Sequence, residues 1–316
     1  MCCLFGILDY GHTLTSKQRT KVLSVLATAS EARGKDATGI AYNTHNALAI
    51  YKRPKAAHRM NFRLPTDASV IMGHTRMTTQ GSERHNQNNH PFSGRVGERL
   101  FALAHNGVLY NDSNLQEEYK LPKTKIETDS YVSVQLLERF GKLTFDTLAK
   151  TAEQLLGTFT LTLLDNENNM YFVKGNNPLC LYYWSERNLY LYASTEEILK
   201  DAILKIPFHI GTPTEILVAM GEIVKIDPQG NRTSSKFSTD NIAVSSGYSL
   251  YGYGRYFYDW GYSLSTPKQT EEKTSYADLI RSMAHTFGYT PEDVDALLAE
   301  GFCPEEIEEM FYCDAY

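Results

Sequence analysis

Short apolar runs and one amphipathic stretch dominate the first third of the chain. Residues 16–33 repeat apolar side chains at helical spacing behind Ser16, a residue type that favours helix N-caps, and they predict a helix. The other apolar runs are short and rich in β-favouring residues, so they predict buried strands separated by polar loops. These strands are expected at residues 2–9, 69–75 and 101–106, with a pair inside 38–53 joined by a turn at 43–46.

The middle of the chain predicts two helices followed by a second set of strands. Residues 127–140 and 144–156 carry helical periodicity, with Gly141 between them and Gly157 after the second. Strand-like segments separated by turn clusters follow, with one further helix at 194–204 among them. The strand segments are 159–165, 170–175, 179–184 and 189–194, and a hairpin surrounds 227–230. This order predicts an α+β fold of stacked sheet and helix layers instead of a doubly wound parallel sheet.

The character of the sequence changes near residue 235. Residues 245–267 are dominated by Tyr, Gly and Ser without helix or strand periodicity, which is typical of a connector and also fits a tail that docks on another surface. Three short helical segments follow, of which the second spans 290–301; their apolar spacing fits a partner-binding face and a self-packing face equally well. We expect a large domain at 1–235, a linker at 236–274 and a small helical module at 275–316.

Composition and charge are those of an ordinary globular protein. The chain of 316 residues is 42% hydrophobic and 22% charged, and no stretch approaches the roughly 18 apolar residues of a membrane helix. A net charge of −6 argues against a protein that mainly holds nucleic acid, because neutralising phosphates requires a basic domain. The five cysteines form no CxxC pair and follow no secretory segment, so we expect reduced thiols, a cytoplasmic location, and small-molecule or protein partners without membrane association.

Cys2 stands where removal of Met1 would expose its own α-amine. Such an amine has a reference pKa of about 7.7–8.0 and accepts the thiol proton near neutral pH, so one residue supplies both nucleophile and base. Cells generally trim an initiator methionine when the next side chain is small, as it is here. Taken alone, a cysteine is more often a small buried hydrophobic residue.

Further motifs follow Cys2 in a fixed order. They are RGKD, GHTRMTTQG, NQNNHPF, ALAHNGVLYN and ETDSYVSVQLLE, at 33–36, 73–81, 86–92, 102–111 and 127–138. Together with the N-terminal cysteine they resemble the class II glutamine amidotransferases, whose glutaminase domains occur in glucosamine-phosphate synthase, amidophosphoribosyltransferase, asparagine synthetase B and glutamate synthase. The resemblance implies a four-layer αββα N-terminal-nucleophile hydrolase sandwich, here with a small C-terminal helical appendage.

The resemblance assigns a role to each of these motifs. It implies that Cys2 attacks the side-chain amide of glutamine, releases ammonia and leaves a γ-glutamyl thioester that water hydrolyses. It implies that Asn106 and Gly107 form an oxyanion hole from a side-chain amide and a backbone N–H. Arg76 matches the residue that binds the substrate α-carboxylate, and Asp129 matches the residue that pairs with its α-ammonium.

Three further site residues come from the same resemblance. Arg33 matches an arginine near the nucleophile, where a cation favours the thiolate, while His90 and Thr79 match positions that contact substrate. Taken singly, each motif residue also has an ordinary structural interpretation, such as a surface arginine, an Asn-Gly turn or a capping aspartate. Their joint presence in this order is what carries the prediction.

The remaining histidines predict no metal centre. His85 and His90 lie in an Asn-rich loop without carboxylate or cysteine companions, so neither a metal nor a cofactor is expected. His74 and His105 end apolar strands and are interpreted as hydrogen-bonded structural histidines.

The chain departs from the family pattern around the expected site. Cys3 stands where glycine commonly follows the nucleophile, Met77 where tryptophan commonly follows the substrate arginine, and Gln80 where histidine is common. The loop from Gly81 to His90 is also slightly longer than in the synthase members. These changes leave open whether the substrate is glutamine or a related γ-glutamyl compound.

No acceptor-binding motif accompanies the glutaminase motifs. Product-forming members carry a synthase domain after the glutaminase, whereas this sequence has no P-loop, GxGxxG or sugar-phosphate motif. The sequence therefore predicts a stand-alone glutaminase half that passes ammonia to a separate synthase or acceptor protein. Two alternatives are a γ-glutamyl amide hydrolase with a larger substrate and a catalytically silent binding or regulatory protein on the same fold.

Overall fold

The protein divides into two compact units, Met1–Ala243 and Val244–Tyr316. The computed structural model describes residues 2–45, 47–242 and 289–300, with the single positions 277, 280, 281, 284, 302, 307 and 310. The predicted linker at 236–274 lies outside the described residues beyond position 242. No helix in the described ranges has the length and apolar character needed to cross a membrane.

The first unit is a mixture of strands and helices. Its strands are β1 (Cys3–Asp9), β2 (Ala37–Thr44), β3 (Ala47–Arg53), β4 (Val70–Arg76), β5 (Phe92–Val96), β6 (Arg99–Leu109), β7 (Gly157–Asp165), β8 (Met170–Lys174), β9 (Cys180–Trp184), β10 (Leu189–Ala193), β11 (Thr214–Ile216), β12 (Glu222–Ile226) and β13 (Arg232–Lys236). Its helices are α1 (Ser16–Ser30), α2 (Asp112–Glu118), α3 (Tyr131–Phe140), α4 (Phe145–Gln154) and α5 (Glu196–Leu204).

Two antiparallel sheets form the centre of this unit. One has the strand order β11-β9-β10-β1-β4-β2-β3 and the other β13-β12-β8-β7-β6-β5. In the first sheet Cys3 of β1 pairs with Thr75 of β4, and Arg76 pairs with Ala37 of β2. Because β1 and β4 run in opposite directions, this register brings Cys2 and Arg76 to the same end of the sheet.

Alternation of side chains along the strands explains the layers. On β1, Phe5 and Ile7 pack in a core with α1 and α5, whereas Leu4 and Leu8 belong to a core between the two sheets. A third core joins the second sheet to α2, α3 and α4. The layers follow the order helix, sheet, sheet, helix, which confirms the predicted αββα sandwich.

Helix α1 begins with a different cap from the one predicted. The N-cap is Thr15, not Ser16: its hydroxyl accepts from the Gln18 N–H, and the Gln18 side chain accepts from the Thr15 N–H. Ser16 is the first helical residue, and its hydroxyl donates to the carbonyl oxygen of Leu64 at 2.9 Å. The helix therefore begins at Ser16 as its first residue, and Thr15 makes the capping bonds.

Helix α3 starts at Tyr131, later than the predicted start at residue 127. The residues before it form a turn, in which the Tyr131 and Val132 N–H groups bond to the carbonyls of Thr128 and Asp129, three residues back. This segment is held by a distant loop: Glu127 N–H donates to Asn88 Oδ1 at 3.0 Å, and Asp129 N–H donates to Gln80 Oε1 at 2.9 Å. The short elements β5, α2 and β11 were not predicted. Strand β6 is also longer than the predicted strand at 101–106.

In the second unit, the described residues include one continuous helix, α6 (Pro291–Ala299), inside the segment predicted at 290–301. Thr290 caps it through a reciprocal pair of bonds with Asp293, and proline occupies the first turn.

Candidate active site

A small pocket opens where the ends of β1 and β4 meet the end of β6 and the start of α3. Its cavity volume is about 10 Å³, which is room for about one water molecule. Its lining residues are Cys2, Arg76, Met77, Thr79, Gln80, His90, His105, Gly107, Thr128, Asp129 and Ser130. Six of the eight predicted site residues therefore share one pocket, while Asn106 and Arg33 are not among its lining residues.

Cys2 presents its thiol at this pocket. The side chain is half-buried, and Sγ donates to the carbonyl oxygen of Met77 at 3.5 Å. Burial raises the pKa of the thiol; a backbone hydrogen bond with Met77 and the positive charges of the N-terminus and Arg76 oppose this increase. Asp129 raises the pKa further. In the resting site Cys2 is therefore a thiol that needs a base.

The RGKD motif holds the backbone around Cys2 and Arg76. Arg33 Nε donates to the carbonyl oxygen of Cys2 at 2.9 Å, so this arginine contacts the main chain of the nucleophile. A Cβ on Gly34 would lie 2.5 Å from the carbonyl carbon of Arg76, so only glycine permits the observed approach. The Asp36 carboxylate accepts from the Thr78 N–H at 2.7 Å. The motif therefore fixes the start of the covering loop, which is the segment 77–91 between β4 and β5 and contributes four residues to the pocket lining.

Arg76 is a buried cation with neutral hydrogen-bond partners. Only 3% of its surface is exposed. Nη1 donates to Asn89 Oδ1 at 2.8 Å, and Nη2 donates to the carbonyl oxygens of Gln80 at 2.5 Å and Gly81 at 2.9 Å. Burial lowers the pKa of the guanidinium, while Cys2 and Asp129 oppose that shift.

Asp129 is a buried carboxylate on the same pocket. Its Oδ2 accepts from the Leu109 N–H at 2.7 Å, and its Oδ1 accepts from the Ser130 hydroxyl at 3.1 Å. In the described part of the chain, these donors are neutral, as are the acceptors around Arg76. A buried charge costs several kcal/mol without an opposite charge. The pocket therefore offers one cation and one anion to a ligand that carries both complementary charges.

Gly107 and Asn106 occupy different positions relative to the pocket. Gly107 lines it, whereas the fully buried Asn106 donates through Nδ2 to Ser194 Oγ at 3.3 Å, and its Oδ1 has no partner. The Ser194 oxygen also accepts from the Leu4 N–H at 2.8 Å, so the serine proton is available to an amide oxygen. Rotation of the Asn106 amide would satisfy its oxygen on Ser194 and direct Nδ2 to the position that Oδ1 now occupies.

Gly107 is expected to tolerate no side chain. Its φ is +148°, and a Cβ would lie 1.8 Å from the carbonyl oxygen of Thr158. Gly107→Ala should therefore lower the free energy of unfolding by about 2–4 kcal/mol through backbone strain and overlap. The matched control is Gly97→Ala, where φ is +60° and no atom lies within 4 Å; it should cost only about 1 kcal/mol. Equal losses in denaturant unfolding of the two variants would contradict this.

His90 is a buried histidine that lines the pocket. It is 4% exposed, and neither Nδ1 nor Nε2 has a hydrogen-bond partner. The ring stacks between His74, at 4.1 Å between centroids, and Phe92, at 4.4 Å. Burial and the neighbouring His74 and Arg76 lower the pKa of His90 well below its usual value, so the ring is neutral. A neutral imidazole can donate to or accept from a ligand.

His74 and His105 are both hydrogen-bonded. His74 Nε2 lies 3.0 Å from the carbonyl oxygen of His105, and burial lowers the pKa of His74 to about 3. His105 additionally lines the pocket, which the interpretation as a structural histidine missed. Its position directly before Asn106 and Gly107 was the available signal.

His105, Ser130 and Asp129 form a hydrogen-bonded chain in the pocket wall. Nε2 of His105 lies 3.2 Å from the Thr158 carbonyl oxygen, which only accepts, so this nitrogen carries a proton. Burial lowers the pKa of His105, which leaves the ring neutral with Nδ1 as an acceptor, 2.8 Å from Ser130 Oγ. Ser130 has one proton for both Nδ1 and Asp129 Oδ1. An ammonium donor on Asp129 would satisfy the oxygen that the serine leaves unpaired.

Lys52 of β3 supports the far side of the loop. Its Nζ donates to the carbonyl oxygens of Asn89 and, at 3.0 Å, of Pro91, on either side of His90. Burial, with a further contribution from Arg76, lowers the pKa of Lys52 to about 8. Sequence reasoning did not find this residue, because it lies on an ordinary amphipathic strand.

Comparison with known proteins finds a matched domain that contains the pocket residues from Arg76 to Ser130. Residues 61–214 match a family model described as a glutamine amidotransferase domain. Glutamine–fructose-6-phosphate aminotransferase (isomerizing) of Staphylococcus aureus strain Mu50 is 34% identical over 194 residues, covering 57% of this chain and 30% of that protein. The enzyme of the same name from Bacillus subtilis strain 168 is 32% identical over 184 residues, covering 55% and 29%. The chain thus spans less than a third of the length of these relatives.

A solved structure shares the fold. Glutamine phosphoribosylpyrophosphate amidotransferase from B. subtilis, complexed with ADP and GMP, superposes with a TM-score of 0.59 at 21% identity. The match covers 76% of this chain and 50% of that one. It supports the same two-sheet architecture as the described strands and helices.

Proposed function

Because this chain contains a class II glutamine amidotransferase domain, we propose that it hydrolyses the side-chain amide of glutamine with Cys2 as the nucleophile. Removal of Met1 supplies the free α-amine that accepts the thiol proton. The released products are ammonia and glutamate. The roles of the pocket residues given below are part of this proposal.

The first chemical step joins the Cys2 sulfur to the amide carbon. The S–C bond forms as the thiol proton moves to the α-amine, and the carbonyl electrons move onto oxygen. The Gly107 N–H and a rotated Asn106 amide stabilise that oxyanion, and each such donor is worth about 2.7–4 kcal/mol of barrier. The C–N bond then breaks, and the α-ammonium returns its proton to the leaving nitrogen, which departs as ammonia. Water hydrolyses the remaining γ-glutamyl thioester and restores the thiol.

The observation that carries the proposal is a pair of buried charged side chains whose hydrogen-bond partners among the described residues are all neutral. Arg76 would bind the substrate carboxylate, and Asp129 would bind its ammonium. A free amino acid satisfies both charges at once, whereas a bare amide satisfies neither. Leaving a buried charge unpaired costs about 3–5 kcal/mol, which is enough to reject substrates that lack one group.

The direct test is labelling with a diazoketone analogue of L-glutamine, together with glutamate release from glutamine. Protein whose intact mass lacks Met1 should acquire one adduct, on Cys2, and protein that retains Met1 should acquire none. A substituted γ-glutamyl amide should be a poorer substrate than glutamine. A trimmed protein that releases no glutamate and takes no adduct would refute the proposal and favour a silent binding protein.

We also propose that the ammonia passes to a separate synthase or acceptor protein. The chain spans 30% of the S. aureus relative, whose name describes amino transfer to fructose 6-phosphate. Two facts support this step: the pocket is lined by one cation and one anion, Arg76 and Asp129, and the sequence lacks motifs for a sugar phosphate. Stimulation of glutamine hydrolysis by a co-purifying synthase would support this step.

The pH dependence of Cys2 alkylation provides a further prediction. Because burial raises the pKa of the thiol, alkylation of the protein that retains Met1 by neutral iodoacetamide should increase with pH around a midpoint above the free-cysteine value of about 8.5. Asp129 also raises that pKa, so Asp129→Asn should lower the midpoint. Rates are read from the mass of the Cys2 peptide. A midpoint below that of free cysteine would contradict the buried thiol.

A further inference from the structure

Gln80 hydrogen-bonds to the guanidinium of Arg76 and to the backbone of Asp129. Its carbonyl oxygen accepts from Arg76 Nη2 at 2.5 Å, and its side-chain Oε1 accepts from the Asp129 N–H at 2.9 Å. Gln80 also lines the pocket. Within the described residues, no other residue hydrogen-bonds to both Arg76 and Asp129.

The bond to Asp129 also satisfies a backbone donor just before a helix. Asp129 directly precedes Ser130, the N-cap of α3. Gln80 Oε1 accepts from the Asp129 N–H and thereby ties the position of Asp129 to the covering loop. The carbonyl of the same residue ties that loop to Arg76.

We propose that Gln80 is a positioning residue that sets the spacing between the carboxylate-binding Arg76 and the ammonium-binding Asp129. This inference rests on the proposed function. The two charged groups of an α-amino acid share one carbon, so their binding partners must keep one distance and one orientation relative to Cys2 Sγ. A fixed spacing makes the site selective for the L-enantiomer, because three attachment points distinguish mirror images.

The surrounding contacts hold the loop in place without the Gln80 side chain. Asn88 and Glu127 exchange two hydrogen bonds, of 2.7 Å from Asn88 Nδ2 to Glu127 Oε2 and 3.0 Å from Glu127 N–H to Asn88 Oδ1. Gly81, at φ +71°, packs directly against Glu127. Loss of the Gln80 amide should therefore shift Asp129 without releasing the loop.

The chain offers a matched pair of glutamines for the test. Gln80→Met removes the amide at nearly constant size. Gln87→Met removes a similar loop bond, in which Gln87 Nε2 donates to the Lys125 carbonyl at 2.9 Å, but Gln87 contacts neither Arg76 nor Asp129. Each variant is assayed for hydrolysis of L- and D-glutamine, Cys2 alkylation by iodoacetamide, and unfolding in denaturant.

Gln80→Met should raise the KM for L-glutamine by about 10-fold, with kcat within about 3-fold, and reduce the preference for L- over D-glutamine. Gln87→Met should change these quantities by less than about 2-fold. Iodoacetamide has no amino-acid head group, so its rate should be the same in both variants. Equal L/D preference in the two variants overturns the role of Gln80, even if the wild type hydrolyses glutamine. An inactive wild type instead overturns the proposed function itself, and the inference with it.

Discussion

Replacing Cys2 by serine is expected to lower glutamine hydrolysis by at least about 10³-fold, because the hydroxyl is a much weaker nucleophile than the thiol. Serine is small enough to allow removal of Met1, so the α-amine remains in place. The variant should bind glutamine but take no adduct from the diazoketone analogue. Initial rates of glutamate formation and intact mass measure the two effects.

Cys180→Ala is the matched control for this loss. Cys180 lies on β9 and packs in the core between the first sheet and its helices, where burial raises the pKa of its thiol to about 12. The variant should cost some stability, as buried truncations do, while hydrolysis per folded molecule stays within about 2-fold. Retention of activity by Cys2→Ser, or transfer of the adduct to another cysteine, would disprove nucleophilic attack by Cys2.

The second large effect is expected when Asp129 and Arg76 are replaced and each variant is assayed with glutamine and with substrates that lack one charged group. Asp129→Asn should lower kcat/KM for L-glutamine by about 10²-fold or more, since the substrate ammonium would lose its counter-charge. It should have little effect on glutaramate, which lacks the α-amine. Arg76→Lys should lower kcat/KM for L-glutamine by about 10-fold or more, because an ammonium does not replace the planar donor pair. It should have little effect on γ-aminobutyramide, which lacks the carboxylate.

These substrate-dependent losses distinguish a defect in substrate recognition from a defect in folding. Arg76 bonds to Gln80, Gly81 and Asn89, so a destabilised loop would lower activity toward every substrate alike. Lysine retains the positive charge, which limits that damage, and denaturant unfolding measures what remains. If both variants lose the same factor on glutamine, glutaramate and γ-aminobutyramide, neither residue recognises its assigned group.

The structure also relates the motifs to one another. In RGKD, Arg33 holds the Cys2 carbonyl, and Asp36 holds the loop at Thr78. In the ETD segment, Asp129 lines the pocket, and Glu127 bonds to Asn88 of the loop. The ETD segment therefore combines a group that faces the pocket with one that fixes a neighbouring motif.

The sequence by itself determined the layered fold and the identity of most pocket residues. Period-two alternation on β1 separates Phe5 and Ile7 from Leu4 and Leu8, and the helical spacing of 16–33 predicts α1 within a few residues. Such signals are local, because burial of one face imposes a fixed period on the chain. The motif residues were found through their order along the sequence.

Only the tertiary structure decided how those residues act on one another. That Arg76 and Asp129 face the same pocket with neutral partners, that Gln80 joins them, and that His105 reaches Asp129 through Ser130 depend on segments far apart in sequence. The segment before α3 is likewise bonded to a distant loop, through the N–H groups of Glu127 and Asp129. Periodicity records which face of an element is buried; it carries no information on which distant donor meets which acceptor.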